Sequence, residues 1–572
     1  MIRFSISRTG RAACALAGFL ALAGISAAQA PKGPVVPARP GQRVSKPLPE
    51  PVDGAIHLSL DQAIDLAIAN NEDLNVTINA AEASEFYLMS SKGIFDPVLG
   101  GFANRNHDET PSSSALSGAP VAVRSDTYNY GANVTQLAPW GGTFQIGTTG
   151  GRLSTNSRFA SVNPSFNADL SISFSQPLLR NFGFTATKWQ ILISKNNRDT
   201  TYQNFVRSIQ TGVNSVEQAY WDLVYAYQNL AVKKESLTIA QDLNRITKIR
   251  IDVGSLAPID ITQTEVGIAQ AEQDIITAEG LVGDAEDRIK RQLNFDSARW
   301  SAPIIPTDSI RVEKPVVLNV DDGTRTALVR RPDIVSQAYT VDSARITWEY
   351  WSNQTLPGVN LVGRYGGVGL GGQFFINPCP NPNIPQCDDP LNPPLFPGPS
   401  NGLGEAYHQV VNRTFPSWSI GINVSYPILN RYARGQRGAA KYTWDSNKAL
   451  LTTTQQNVIV EVRAAARAVE TAERQIVAAS KGRELAERNL DAEKKKFDNG
   501  MTTSFQVNQI QRDLSAAKTT ELQALVVYRK ALAAYHTATA DILDWKGIGV
   551  EGLPETTPPP MESGWAITPP AN

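Results

Sequence analysis

Two stretches of this chain, 185–253 and 434–499, contain no proline and repeat apolar residues at helical spacing, as in Val213, Val216, Tyr220, Leu223, Val224 and Tyr227. At 1.5 Å per residue each predicts a helix about 100 Å long. A helix of that length cannot fold against one compact core, so the pair must pack side by side in a coiled-coil-like bundle. Ala464, Ala465, Ala466, Ala468, Ala472, Ala478 and Ala479 permit close helix approach. Beyond each stretch comes a glycine and then a second helical run, about 259–294 and 503–544, which makes two long helical hairpins.

The two hairpins belong to two halves with the same order of features. The strand pattern of 167–177 returns at 417–427, with Leu170, Ile172 and Phe174 matched by Ile420, Ile422 and Val424. Upstream, 67–74 matches 327–334, and downstream Asp252-Val253-Gly254 matches Asp498-Asn499-Gly500. The spacing drifts through loop insertions, but the order holds: short helix, strands, very long helix, glycine turn, long helix. Such duplication means that each half is one supersecondary unit.

In both strands apolar side chains alternate with small polar ones, Ser171, Ser173 and Ser175 in one and Gly421, Asn423 and Ser425 in the other. A barrel wall between lipid and water needs this period of two. Trp418 and Tyr426 fall where membrane interfaces place aromatic rings. A soluble sandwich strand with one wet face shows the same alternation, yet neither strand would then run straight into so long a helix.

The start of the chain fits export. Arg3, Arg8 and Arg11 precede an apolar run over 12–24 that is too short to span a membrane, and small residues Ser26 and Ala28 favour cleavage before Gln29. Cys14 precedes most of that run, so no acyl anchor is expected. No later run of 18 apolar residues occurs, so a membrane-resident form must use strands. Cys379 and Cys387 lie in the Pro-rich run 377–399, where an oxidising compartment would let them pair; two free thiols remain the alternative, and a metal site lacks ligands. The 53 Lys+Arg against 54 Asp+Glu give no basic stripe for nucleic acid.

Over about 58–544 these features resemble the TolC-like outer membrane factor family. The opening 58–71, the strand exits Gln176-Pro177-Leu178-Leu179 and Tyr426-Pro427-Ile428-Leu429, and the two hairpin tips carry the resemblance, through their order and duplication. It implies an α+β membrane protein, a homotrimer whose strands close one outer-membrane barrel and whose helices form a periplasmic tunnel. It also implies docking onto a periplasmic adaptor and, through it, an inner-membrane pump or exporter. The expected organisation is a signal peptide (1–28), a Pro-rich tail (29–55), two repeats (56–300 and 301–550) and a disordered Pro-rich end (551–572). The resemblance assigns adaptor docking to Gly254, Ser255, Leu256, Gly500, Met501 and Thr502; Gly254 and Gly500 would serve equally as helix caps with positive φ. It places the tunnel entrance at Asp260, Gln506 and Gln509. Where relatives carry carboxylates, the two glutamines are neutral, so a ring of them offers less cation selection. They could also face neighbouring helices.

A second departure lies in the first half, where 127–137 and 143–153 read as an added hairpin around Pro139-Trp140-Gly141-Gly142. Either the wall takes more than four strands per subunit or the extra pair folds outside it.

No enzyme is expected, and no cofactor. Gly367, Gly369 and Gly372 fit G-x-G-x-x-G, but no helix follows directly, so small residues in a barrel strand explain them better. His107-Asp108-Glu109 reads as part of a polar loop. A coiled-coil envelope spacer or adhesin is the alternative function, though it leaves the strands unexplained. Among cargoes, small-molecule efflux ranks first because no Met or His cluster points to metals.

Overall fold

The computed structural model describes residues 47–112, 121–157, 159–310, 317–376 and 396–550. The signal segment, the residues before 47, Cys379, Cys387 and the end 551–572 lie outside the described residues. In chain order the elements are β1 (Ile56–Leu58), α1 (Leu60–Asn70), α2 (Glu72–Lys92), β2 (Val98–Pro111), β3 (Ala122–Leu137), β4 (Thr143–Thr155), β5 (Val162–Pro177), α3 (Phe184–Asp252), α4 (Ile259–Gln292), β6 (Ile304–Pro306), α5 (Val320–Arg330), α6 (Pro332–Gln354), β7 (Gly358–Ile376), β8 (Phe396–Asn401), α7 (Leu403–Val411), β9 (Phe415–Ser425), α8 (Arg431–Asp498), α9 (Ser504–Ala538) and α10 (Ile542–Trp545). Among the described residues no helix is long and apolar enough to cross a membrane.

Residues Tyr87–Lys195 and Ser343–Trp444 contribute to one compact unit, built on a seven-stranded sheet. Its order is β2-β3-β4-β5-β7, with β9 and β8 sharing the second edge of β7, and all its pairs are antiparallel. The added hairpin expected around 139–142 is β3–β4, and it lies inside the sheet between β2 and β5. Gly141 makes its turn possible at φ +94°, while the Ala138 N–H donates to Gly142 O at 2.7 Å. His107-Asp108-Glu109 is not a loop: it continues β2, opposite Asp126, Ser125 and Arg124 of β3. Alternation had hidden this, because those residues are polar on both faces.

The second unit draws, among the described residues, on 47–86, 196–310, 317–342 and 445–550. One core joins β1, α1, α3 and α4 through Ile56, Leu58, Ile64, Val213, Val216, Leu223 and Ile289. A second joins α5, α6, α8 and α9 through Ala327, Ile334, Val458, Val462, Val469 and Tyr528. Of the alanines singled out above, Ala466 and Ala472 are buried in it. Local signals start and stop these helices. Ser59 and Gln62 form a reciprocal capping box before α1, Asn319 caps α5, and Thr503 caps α9. The last return helix stops at Ala538 rather than running on to 544. Ala540 turns left-handed at φ +60°, the Asp541 N–H donates to His536 O at 3.0 Å, and a short α10 follows. No glycine or proline marks that stop.

Candidate functional site

Two surfaces have the residues to carry function, one in each unit. The first is the sheet. Pairing places Leu99, Val134, Ile146, Ile172, Tyr365 and Trp418 in one row, opposite one another on a single face. Phe144, Phe174 and Ile420 follow on that face, as do Ile422 and Val424. Trp418 is 72% exposed and Val424 69%. In water so many exposed apolar side chains on one sheet face would be a liability; against lipid they are what the solvent demands. The opposite face carries Asn104, Asn129, Asn133, Gln145, Asp169, Ser171, Ser173, Arg364, Ser419 and Asn423. There Arg364 Nη2 lies 2.6 Å from Asp169 Oδ2, so the one cation and the one anion of these residues offset each other. What remains is a face of neutral hydroxyls and amides, suited to a water-filled passage.

Helix α7 was not anticipated from the sequence. It lies on the apolar face, with Ala406 and Val410 buried against Ala168. Gly367, Gly369 and Gly371 give its backbone room: a Cβ on Gly369 would sit 1.9 Å from Ala406 O. The glycine repeat therefore serves neither a phosphate nor a simple strand but a helix pressed onto the sheet. Gln409 Oε1 also accepts from the Leu370 N–H at 3.0 Å, satisfying a donor that β8 and β9 leave uncovered. Also on the sheet unit, Trp189 stacks on Tyr350 at 4.3 Å and Trp351 meets Tyr432 edge-on at 5.6 Å.

The second surface is formed by the two hairpin tips. Gly254 and Gly500 have φ of +77° and +72°, and a Cβ on either would meet nothing within 4 Å. They are needed for conformation, not for space. The Ser255 N–H donates to Arg250 O at 2.8 Å and the Met501 N–H to Lys496 O at 2.9 Å, so both turns are Schellman caps of α3 and α8. Arg250 ties the tips together: Nη2 reaches Asp498 Oδ1 at 3.0 Å, and the guanidinium lies 4.5 Å above the Phe497 ring. Leu256 packs against the small core that holds Leu243, Phe497 and Val507. Thr502 Oγ1 donates to Glu493 Oε1 at 2.6 Å, which, with Lys496 alongside, holds the Glu493 carboxyl below its usual range. Leu256, Thr502 and Ser255, whose Oγ donates to Arg250 O at 2.9 Å, thus spend their side chains on the tip, whereas Met501, Val253, Ile259 and Phe505 are exposed.

Among the residues expected at the entrance, Asp260 Oδ1 accepts from Ser504 Oγ at 3.1 Å. Gln506 is exposed, and Gln509 donates from Nε2 to Asp513 Oδ1 at 3.0 Å while accepting from Arg512. The structure brings Asp260 next to the start of α9, with Gln506 exposed and Gln509 half-buried. The Arg250 link escaped the sequence reading, since nothing local connects residues so far apart in the chain.

The profile of the outer membrane efflux protein family matches this chain twice, over residues 63–294 and 324–540, most of its length. The chain belongs to the outer membrane efflux protein family. Its place is the outer membrane, and its fold and family are those of channel proteins. Among solved structures this member is similar to the Campylobacter jejuni CmeC outer membrane channel, with a TM-score of 0.61 at 16% identity over 84% of this chain and 86% of that one. The outer-membrane channel OprN gives a TM-score of 0.60 at 15% identity, covering 84% and 90%. At such identities the likeness establishes the shared α+β fold. Toxin and drug export protein A of Aggregatibacter actinomycetemcomitans is 23% identical over 221 residues, which are 38% of this chain and 43% of that relative's length.

Proposed function

We propose that this chain is the exit duct of a tripartite efflux or type I secretion system. Three copies close one barrel in the outer membrane, and their long helices line a periplasmic tunnel. The observation that carries this reading is the division of the sheet into an exposed apolar face and a neutral polar face, which a barrel wall requires and a spacer or adhesin has no use for. The double match of the family profile and the repeated order of α1–α2, strands, α3–α4 and then α5–α6, strands, α8–α9 support an internal duplication, with repeats over 56–300 and 301–550. Self-assembly is supported by unpartnered apolar residues on the long helices: Val460 and Val477 on α8 and Ile276 on α4 are each more than 60% exposed.

At the tips, Gly254, Ser255, Leu256, Gly500, Met501 and Thr502 form the docking region for a periplasmic adaptor and, through it, an inner-membrane transporter. The bare apolar rim of Val253, Ile259, Met501 and Phe505 suits such a partner. Asp260, Gln506 and Gln509 line the entrance, with Asp260 its acidic member. The similar export protein is named for both toxins and drugs, and small-molecule cargo is ranked first because the sequence has no Met or His cluster that points to metals. Deleting the gene and comparing susceptibility to toxic compounds with the secreted proteome tests this: susceptibility rises and the secretome is unchanged. Loss of one secreted protein with unchanged susceptibility would assign the duct to protein secretion instead.

A further inference from the structure

The sheet has six long strands in sequence, β2, β3, β4, β5, β7 and β9, and among the described residues its two outer edges are unpaired. The β2 edge runs for 14 residues and the β9 edge for 11. With one face apolar and exposed, these edges sit in lipid, where each unmet backbone N–H or C=O costs several kcal/mol. They must therefore be paired. Because every neighbouring pair is antiparallel and the number of strands is even, β9 of one copy can meet β2 of the next antiparallel as well.

The register can be worked out from the existing pairs. Along one rung Val98, Thr135, Gln145, Ser173, Arg364 and Ser419 lie opposite one another. Apolar faces stay aligned only if an odd-numbered β2 residue meets an even-numbered β9 residue, because a slip of one turns the side chains to the other face. Setting Val98 against Ser425 meets that condition and leaves the strand ends flush. It shifts the rung from Ser419 to Ser425, six residues over six strands. One residue per strand is the ratio that gives a tilt of about 36° in an eight-stranded barrel of shear 8, within the range of about 35–45° for membrane barrels. Side-chain sizes agree as well. Leu99 then faces Val424, Gly101 faces Ile422 and Ala103 faces Ile420 on the apolar side, while Phe102 falls opposite Gly421 on the polar side.

We infer that β2 of each copy pairs with β9 of its neighbour in this register, so that three copies build an eighteen-stranded wall in which β3 and β4 are structural staves. This rests on the trimeric channel reading above. At a strand spacing of about 4.8 Å such a wall is about 34 Å across between backbones, against about 23 Å for twelve strands. The barrel is then wide and porin-like, and it places no narrow limit on cargo size.

The test uses the full chain with Cys379→Ser and Cys387→Ser, solubilised in detergent, its mass measured by light scattering. Leu99→Cys with Val424→Cys, and independently Asn104→Cys with Ser419→Cys on the other face, should each oxidise to a covalent trimer on a denaturing gel. Leu99→Cys with Ile420→Cys, out of register, should not. A trimer that stays unlinked in both in-register pairs, or links only within one chain, overturns the inference and leaves the channel reading standing. A chain that is not trimeric sinks both.

Discussion

Arg331 shows how much a single side chain carries. It stands between α5 and α6, buried, with Nε and Nη2 on the two Asp333 oxygens at 3.0 and 2.7 Å and Nη1 on Glu461 Oε2 at 2.7 Å. Replacing it with Ala leaves the half-buried Asp333 carboxylate unpaired and should cost less than the about 3–5 kcal/mol of a fully buried pair, read as a lower melting temperature of the helical signal in circular dichroism. Burial pushes the Asp333 carboxyl up, but the Arg331 hydrogen bonds and charge more than reverse this and hold it below its usual range. Asp541 behaves alike, with His536 and Thr539 as its partners against burial. A carboxyl depressed in the folded state gives stability that is complete above its unfolded value and lost as pH falls through its folded value. The helical unit should therefore weaken below about pH 4, and thermal melts at pH 7 and pH 3 check it. Gly254→Ala and Gly500→Ala should each cost about 1 kcal/mol, because Ala resists the left-handed region. Those two glycines were legible in the sequence, since only that residue type suits positive φ. Ala540, in the same conformation, carries no such mark, and neither does Arg250, whose partner lies 248 residues away.

At the level of elements, three of the four long helices were legible to within about three residues because period and the absence of proline extend over so many turns, while the fourth stops at Ala538, six residues before its expected end. The β3–β4 hairpin was legible as a hairpin but not as part of the wall: alternation tells which face a residue takes, not which strand lies beside it. Helix α7 was hidden, being only nine residues long and following a Pro-rich run. Its bed of glycines makes a sharp prediction. Gly369→Ala places a methyl group in the path of the Ala406 carbonyl and should lift α7 from the sheet, at a cost of about 1–3 kcal/mol. Limited proteolysis of membrane-inserted protein would read it as new cleavage within 403–414; unchanged protection would mean that α7 is free to shift. On the long helices, Val460→Lys with Val477→Lys should leave folded chains that no longer associate, seen by light scattering in detergent.

For the whole molecule, the strand faces and the helical hairpins were legible in the sequence, since each is a periodic property of the chain. The closure proposed for the wall is not periodic and is argued only from the rungs of the sheet. Ion preference also belongs to this scale. With Asp260 as the sole acidic residue among the three positions proposed for the entrance, reversal potentials should show weak cation preference, changed little by Asp260→Asn; strong preference abolished by that substitution would show that Asp260 alone sets the field. The most direct measurement for the account as a whole is the conductance of purified full-length protein in a planar lipid bilayer. Discrete, long-lived steps from trimers are the predicted result. Trimers that insert into the bilayer and leave it insulating would contradict the claim that this chain is a duct.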